Sequence, residues 1–390
     1  MDSPSKGIHP DKAKRYSRLK YSTAIIDIVY LLLLLSVFAA SGLSKILTQA
    51  LSGFISNNYL TVSAYIFIVY LAYYLLNFPL NFYRSYTLER KFCLSNQKVA
   101  SWLKDQIKTG IISYIIAVIL ISAFYYVIRH FFFTWWLIIS LFWIFFSLIM
   151  AKLVPIIVIP LFFKYERISD EVLRERIIKL ADKMKVNPVR NTKASRKNNK
   201  ISNGVKVLDV FQIDFSKKTV KANAAFVGLG ATKRVILSDT LKDKYSYDEI
   251  EVILAHEFAH YKLRHLVKLL LVNSSAIMLS FYIIFMTNNY VLGIFGLSSL
   301  WDIAALPVIL MYFVIFGIVM QPFENYISCR FERNADLEAL KVTGLKEAFI
   351  SMMEKLSSQN LADRNPHPII RFFFFSHPSV DERIAIAKSL

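Results

Sequence analysis

Six long apolar runs limit this chain of 390 residues to a membrane-spanning architecture. A helix needs about 20 apolar residues to cross the hydrocarbon core of a bilayer, and each run reaches or approaches that length. The runs occupy residues 22–40, 61–82, 111–128, 134–163, 267–286 and 303–323. Hydrophobic side chains make up 55% of the chain, which is too high for a soluble globular protein. The sequence therefore predicts a mainly α, polytopic helical membrane protein with about six spans.

Lysine and arginine are distributed unevenly among the segments that connect these runs. They are concentrated in the N-terminal tail, the second loop, the long segment after the fourth run and the C-terminal tail. The alternate loops carry only Lys45 and Arg129. Because cytoplasmic loops are enriched in basic residues, both termini are predicted to be cytoplasmic. The formal net charge of +19 then faces anionic lipid headgroups, and no nucleic-acid partner is expected because no basic-aromatic binding module stands out.

The runs also divide the chain into two parts. Residues 1–163 form an N-terminal transmembrane region with four spans, and residues 164–390 carry the last two spans and the one extended soluble stretch. Apolar residues recur at helical spacing over 169–185, which predicts an amphipathic helix. Residues 187–204 are polar, basic and rich in Asn, Lys and Ser, a composition typical of a flexible insertion.

Three strand-like runs follow the insertion, at residues 205–215, 219–229 and 234–241. Short turns separate them, so they predict a small antiparallel meander. Ser246 and Glu249 then form a capping box, which predicts the start of a helix. No helix breaker lies between this start and the fifth apolar run, and the helix is therefore expected to continue into the membrane.

The helix predicted to begin after Ser246 carries the sequence His256-Glu257-Phe258-Ala259-His260. Two imidazoles four residues apart lie on one face of a helix, because four residues make slightly more than one turn. This spacing suits Zn²⁺, and the intervening glutamate can accept a proton from a water bound to the metal. An amphipathic helix with two solvated histidines is the alternative, and the surrounding sequence makes it the weaker interpretation.

A hydrolytic zinc site needs a third protein ligand and an open position for water. His265 is nearest in sequence, but helix geometry turns it away from both His256 and His260. Glu332 is the better candidate, because it precedes Asp336 by four residues and both carboxylates share one helical face. Glu332 is predicted to bind the metal, while Asp336 accepts the ring N–H of a ligand histidine. Two surface charges on an exposed helix are the alternative for this pair.

These residues belong to longer blocks that resemble the type I CAAX prenyl endopeptidases, integral-membrane zinc metalloproteases related to membrane heat-shock proteases. The likeness runs from about Asn81 to the C-terminus. Its four most specific blocks are 223–226 with Gly228, 233–241, 255–265 and 330–336. A final block, 376–379 with Glu382 and Arg383, also looks like the family's tail. The resemblance implies a chamber of membrane helices closed on the cytoplasmic side by a zincin-like α+β metallopeptidase layer.

The resemblance also implies a ligand set and a base. One zinc ion per chain would be held by His256, His260 and Glu332. Glu257 would be the catalytic base, and Asp336 would lie behind the site. These are the same residues that helical spacing selects.

Further residues receive roles from the resemblance alone. Asn223, Ala224 and Ala225 are expected to align the substrate backbone by strand addition. His377 is expected to be a catalytic residue that hydrogen-bonds the substrate or the transition state. Members of the family cut near the C-terminus of prenylated CAAX proteins, and some cut other membrane substrates. The expected partners are therefore a peptide or protein substrate, with prenylated proteins as the leading class, and membrane lipids.

Two alternatives stay open at this point. Quality-control proteolysis of membrane proteins, without a lipid requirement, would use the same site, so motifs cannot separate it from CAAX processing. A non-catalytic membrane scaffold or transporter is the alternative from another class, and the complete ligand set argues against it. The chain lacks the aspartate-rich insertion of larger members, as compact prokaryotic members do. A prokaryotic plasma membrane is therefore expected rather than the endoplasmic reticulum.

Overall fold

The computed structural model describes residues 10–186, 209–227 and 234–390 of the chain. The insertion predicted at 187–204 lies outside the described residues, as do the start of the strand-like run at 205–215 and the end of the run at 219–229. Most of the described residues are helical, as the mainly α fold class requires.

Within the described ranges, six helical stretches are long and apolar enough to cross a membrane. They are Asp11–Ala40, Asn58–Lys91, Val99–His130, Trp135–Phe162, His265–Ile294 and Ile303–Thr343. Each coincides with one of the six apolar runs, so the prediction of a polytopic helical membrane protein is confirmed. Most of the stretches extend well beyond their apolar run, because polar flanking residues continue the same hydrogen-bond ladder.

Individual helices are labelled here in chain order. They are α1 Pro10–Ala40, α2 Leu43–Phe54, α3 Asn58–Phe82, α4 Leu88–Lys91, α5 Val99–His130, α6 Trp135–Leu153, α7 Ile159–Phe162, α8 Glu171–Lys183, α9 Asp239–Lys242, α10 Tyr247–Lys262, α11 His265–Ile294, α12 Leu306–Thr343, α13 Lys346–Gln359, α14 Pro368–Phe374 and α15 Val380–Ser389. Short π-helical turns, Tyr83–Thr87 and Val154–Val158, join α3 to α4 and α6 to α7. The second of these contains Pro155, which has no backbone N–H to continue an α-helical ladder.

Helix α2 connects the first two spans and, at 12 residues, is too short to cross a bilayer. It follows Gly42, whose φ of 75° lies in the left-handed region that glycine adopts without steric cost. Ser44 on α2 is buried; its Oγ lies 2.6 Å from the Tyr65 hydroxyl and donates to the carbonyl of Ala304 at 2.8 Å. These bonds fix α2 against the second and sixth spans, at the end of the sixth span farthest from Glu332.

Four strands form one sheet in the described part of the chain: β1 Tyr165–Arg167, β2 Asp209–Ile213, β3 Ala224–Val227 and β4 Arg234–Ser238. Their order is β1-β2-β4-β3. The outer pairs, β1 with β2 and β3 with β4, are antiparallel, whereas β2 and β4 run parallel. The predicted antiparallel meander is therefore wrong, and the sheet is mixed.

Burial explains why β4 lies inside the sheet rather than after β3. Val235, Ile236 and Leu237 are each less than 5% exposed, so β4 is apolar on both faces and suits a central position. The more exposed β3 is left at the edge. The sequence alone did not predict this strand order, because strands that follow one another in the chain are usually neighbours in the sheet.

The helices α8, α10 and α13 pack on the sheet and on one another to form the core of the second part. Helix α8 is shorter at both ends than the predicted 169–185, and Asp170 caps it by accepting the backbone N–H of Leu173 at 3.0 Å. Leu173, Ile177 and Leu180 are buried at the spacing that predicted the helix. Burying three such side chains stabilises the fold by roughly 5 kcal/mol or more.

The helix that carries the two histidines does not continue into the membrane, so that prediction is wrong. Helix α10 ends at Lys262, and α11 begins at His265 after Arg264 adopts a left-handed backbone with φ of 57°. The ring of His265 stacks on Phe331 of α12 with 4.3 Å between centroids. The break therefore turns the chain at the junction of α10, α11 and α12.

Helix α12 runs without interruption from the sixth span to the soluble core. Its 38 residues make a rod of about 57 Å, longer than a bilayer core is thick. The end of α12 that extends beyond the apolar run packs against α10 and carries Glu332 and Asp336. The two helices thus bring residues far apart in sequence to one place.

Candidate metal centre

Helix α10 begins with the predicted capping box. The hydroxyl of Ser246 accepts the backbone N–H of Glu249 at 3.3 Å, and the Glu249 carboxylate accepts the backbone N–H of Ser246 at 2.8 Å. Glu249 is buried, and it also accepts hydrogen bonds from Ser351 at 2.6 Å and from Lys355 at 2.7 Å. Burial would raise the pKa of Glu249, but these bonds, from Lys355 above all, hold that pKa below its ordinary value. The N-terminus of α10 is therefore anchored by a buried, ionised carboxylate.

Two turns further along α10, His256 and His260 lie side by side. Their Nε2 atoms are 3.0 Å apart, and the ring centroids are separated by 4.7 Å. His256 is buried, whereas the side chain of His260 keeps about a quarter of its surface exposed. The helical repeat alone produces this arrangement.

Glu332 of α12 completes a three-residue group. Its Oε2 lies 3.2 Å from His256 Nε2, and its Oε1 lies 3.2 Å from His260 Nε2. One ligand atom from each residue lies within 4.8 Å of the others, which is close enough for all three to bind one ion. The structure thus brings together the ligands predicted from sequence.

The chemistry of this group fits a zinc ion. Two imidazole nitrogens and one carboxylate oxygen are the ligand set of many hydrolytic zinc sites. Glu332 Oε2 is buried and lies 3.2 Å from His256 Nε2, so a cation between these two atoms would satisfy both. The approach of two ring nitrogens to 3.0 Å likewise suits a cation shared by both lone pairs.

Asp336 lies behind the group and fixes the orientation of His256. It is 0% exposed, and its Oδ1 is 2.9 Å from His256 Nδ1. Burial lowers the pKa of His256, but the hydrogen bonds with Asp336 and Glu332 outweigh burial and raise it to about 9. A metal would displace the proton on Nε2, and the Nδ1–H donated to Asp336 would then leave the Nε2 lone pair directed toward the metal.

Arg383 is a site residue to which sequence reasoning gave no role. Its guanidinium grips Asp336 with two bonds, Nε to Oδ2 at 2.7 Å and Nη2 to Oδ1 at 2.5 Å. Arg383 lies on α15, which begins with a capping box between Ser379 and Glu382. That local signal predicts the helix, but only the fold brings Arg383 to Asp336.

Glu257 faces the other side of the group, toward the sheet. The backbone of Phe226 on β3 is among the groups that lower the pKa of its carboxylate. Burial raises the pKa of Glu257 above its ordinary value, against the lowering influence of His256 and His260. A carboxylate with a raised pKa can hold a proton long enough to pass it on.

The residues expected to align a substrate lie along the sheet edge next to Glu257. Ala224 and Ala225 belong to β3, and Asn223 immediately precedes it. Asn223 is exposed; its backbone N–H donates to Ser238 Oγ at 3.0 Å, and its carbonyl accepts the N–H of Ser238 at 2.9 Å. The strand order leaves the second edge of β3 without a partner strand among the described residues.

Two further histidines, His377 and His265, lie near the three-residue group. His377 Nε2 is 3.4 Å from Glu332 Oε1, and its side chain is 58% exposed. His265 lies on the far side of His260, with 3.0 Å between their Nδ1 atoms, and it is not part of the three-residue group. Helix geometry excluded His265 as a ligand, and the break after Lys262 leaves it outside.

Comparison with known proteins decides the family. A family model described as "CAAX prenyl protease N-terminal, five membrane helices" matches residues 9–164, and a model of "Peptidase family M48" matches residues 192–390. The chain belongs to peptidase family M48. This M48 chain is a metalloprotease of the type I CAAX prenyl protease group, and the resemblance found in its sequence is confirmed. Over the described residues matched by the N-terminal model it has four spans and the short helix α2.

Relatives of this M48 chain come from several kingdoms. It is similar to the Bacillus subtilis (strain 168) protein named "Uncharacterized metalloprotease YhfN", with 28% identity over 96% of this chain and 84% of the relative. It is 28% identical to "CAAX prenyl protease 1" of Saccharomyces cerevisiae over 80% of this chain and 68% of the relative. A solved structure, "Crystal Structure of S. mikatae Ste24p", superposes with a TM-score of 0.83 at 24% identity, covering 99% of this chain and 91% of that one. At that identity the likeness establishes the fold.

Proposed function

We propose that this M48 metalloprotease is a zinc endopeptidase that hydrolyses peptide bonds at the cytoplasmic face of the membrane, near the C-terminus of CAAX-type prenylated proteins. The observation that carries the proposal is the convergence of His256, His260 and Glu332 beside Glu257 and the edge of β3 that no described strand covers. Ligands, base and a surface for an extended chain lie within one small region.

One zinc ion per chain would be held by His256, His260 and Glu332. When bound, zinc supplies Lewis acidity, which polarises a peptide carbonyl and makes water easier to deprotonate. Asp336 and Arg383 keep His256 in the tautomer that leaves Nε2 free for the metal, because Asp336 accepts the proton on Nδ1.

Glu257 is the proton carrier of the proposed reaction. Its carboxylate accepts a proton from the attacking water and delivers that proton to the nitrogen of the leaving amine when the C–N bond breaks. The raised pKa of Glu257 lies closer to neutral pH than that of an ordinary glutamate. This favours proton transfer both to and from its carboxylate.

Substrate alignment is assigned to the edge strand and to His377. An extended peptide would add to β3 as a further strand along Asn223, Ala224 and Ala225. Because His377 is exposed and faces Glu332, its imidazole can donate a hydrogen bond to the oxygen on which charge develops.

The proposed substrate and orientation rest on different observations. Eukaryotic relatives are named CAAX prenyl proteases, and six spans keep the metal centre close to a membrane in which a prenyl chain would reside. Basic residues in the tails and even-numbered loops favour cytoplasmic termini, and the compact chain favours a prokaryotic plasma membrane. We divide the chain at residues 163 and 164, between the transmembrane region and the metallopeptidase domain.

A paired peptide assay tests this proposal. Purified, zinc-loaded protein in detergent is given the same CAAX peptide with and without a farnesyl group, and Glu257→Gln serves as the inactive control. If the natural protein cleaves the farnesylated peptide faster than the plain one and Glu257→Gln cleaves neither, CAAX processing is supported. Equal cleavage of both peptides would favour membrane-protein quality control, and cleavage by Glu257→Gln would contradict the site.

A further inference from the structure

The segment that leads into the edge strand, residues 218–223, is tied to the loop between the second and third spans. Ser95 and Thr219 form a β-bridge between the two segments. The carbonyl of Leu94 accepts the backbone N–H of Val220 at 3.1 Å and the hydroxyl of Thr219 at 2.8 Å. The membrane part therefore contacts the catalytic sheet through backbone hydrogen bonds as well as side chains.

A charged cluster strengthens this link at Lys221. Its ammonium lies 2.8 Å from Glu89 Oε2 and donates to the hydroxyl of Tyr16 at 3.2 Å. The Tyr16 hydroxyl in turn donates to Glu89 Oε1 at 2.6 Å. Tyr16 belongs to α1 and is 2% exposed, while Glu89 belongs to α4 and is largely shielded from solvent. Helices α1 and α4 of the membrane part thus both contact Lys221, which belongs to the second part of the chain.

A second lysine of the same segment is held in the same manner. Lys218 Nζ lies 2.6 Å from Asp105 Oδ2 on α5, and the same oxygen accepts a hydrogen bond from Gln97 at 2.6 Å. Both charged side chains are four-fifths buried, which strengthens the pair relative to a surface ion pair. The segment is therefore fixed at two points, three residues apart.

Few residues separate Lys221 from the groups that are proposed to react. Thr240 donates its hydroxyl to the carbonyl of Lys221 at 2.7 Å, and five residues later comes Phe226, whose backbone acts on the pKa of Glu257. Lys221 precedes Ala224, the first residue of β3, by only three residues, and the intervening Asn223 is hydrogen-bonded to Ser238 of β4. Displacement of Lys221 would therefore change how β3 lies against Glu257.

We propose that Glu89 is a positioning residue for the protease: by holding Lys221 together with Tyr16, it sets the placement of β3 and so the alignment of an extended substrate with Glu257. This inference rests on the proposed function of β3 as the substrate edge. It gives the membrane part a role in catalysis beyond anchoring, because the first two spans supply the contacts that align the strand.

The test compares two peptides in the zinc-loaded full chain. One peptide of about ten residues is long enough to pair with all four residues of β3, and one of about three residues, with the same scissile bond, is not. Glu89→Gln keeps the shape of the side chain and removes its charge. We expect about a tenfold or greater loss of kcat/KM for the long peptide, little change for the short one, and unchanged zinc content. Lys91→Gln removes an exposed charge two residues away and is the matched control.

Charge reversal gives the rescue. Glu89→Lys and Lys221→Glu should each lose activity on the long peptide, and the double variant should recover part of it because the ion pair is restored. If Glu89→Gln does not fold, Lys221→Met carries the same test from the strand side. Equal losses on both peptides, or wild-type kinetics in Glu89→Gln, would overturn the positioning role. Natural protein that cleaves neither peptide would instead contradict the proposed function.

Discussion

The histidine-bearing face of α10, which we propose binds the metal, and the edge strand β3 lie on either side of Glu257, yet they are held in different ways. The face is built from one helical repeat and is buttressed by carboxylates of adjacent helices, Glu332 and Asp336. The strand instead depends on loops and membrane helices that are distant in sequence. The comparison suggests that metal content and substrate alignment are separable properties of this protease.

The largest expected effect comes from breaking the face itself. His256→Ala removes one predicted nitrogen ligand, so we expect zinc affinity to fall by more than about a hundredfold and proteolysis to disappear. Metal analysis of the purified protein measures the first effect and peptide hydrolysis the second. His130→Ala, at an exposed histidine at the end of the third span, should retain both. Stoichiometric zinc in His256→Ala would exclude this residue as a ligand.

The next largest effect should separate chemistry from metal binding. Glu257→Gln preserves size and polarity but cannot accept a proton, so turnover should fall by about 10² to 10⁴-fold. Zinc content and thermal stability should match those of the natural protein, because Glu257 is not in the ligand set. Normal turnover in this variant would remove the general-base assignment.

A smaller loss of zinc affinity is expected from a change at Asp336, which contacts a predicted ligand without belonging to the three-residue group. Asp336→Asn weakens the bond to His256 Nδ1 and the grip of Arg383, so zinc affinity should fall by about 10- to 100-fold. Competition with a chelator of known affinity measures the change. Glu338→Gln, on the same helix but paired with Lys262, should leave zinc affinity unaltered. An unchanged affinity in Asp336→Asn would mean that His256 is oriented without its help.

The smallest effect concerns stability and depends on pH. Since the pKa of Glu249 is lower in the folded protein than its ordinary value of 4.5, its ionised form stabilises the fold above that pH, and the contribution is lost as the pH falls through the folded pKa. Glu249→Gln should cost about 1–3 kcal/mol at pH 7, and the difference from the natural protein should shrink in acid. Thermal unfolding across a pH series measures it, with the exposed Glu354→Gln as the control. A penalty that is the same at every pH would point to lost packing.

Sequence patterns reached the metal site because its geometry is mostly local. The four-residue spacings of His256 with His260 and of Glu332 with Asp336 define helix faces, and helix faces follow from a fixed repeat. The role of Arg383 could not be predicted in this way, because nothing near it in sequence indicates that it contacts Asp336.

The amino-acid sequence by itself determined the six spans, the helix that carries the histidines and the residues suited to a metal, because apolar length and helical repeat are properties of contiguous residues. Tertiary structure alone decided the strand order, the break at Arg264 and the tether at Lys221. Each of these depends on competition between distant segments for a buried position, and the free energy of such contacts is not written in any single stretch of the chain.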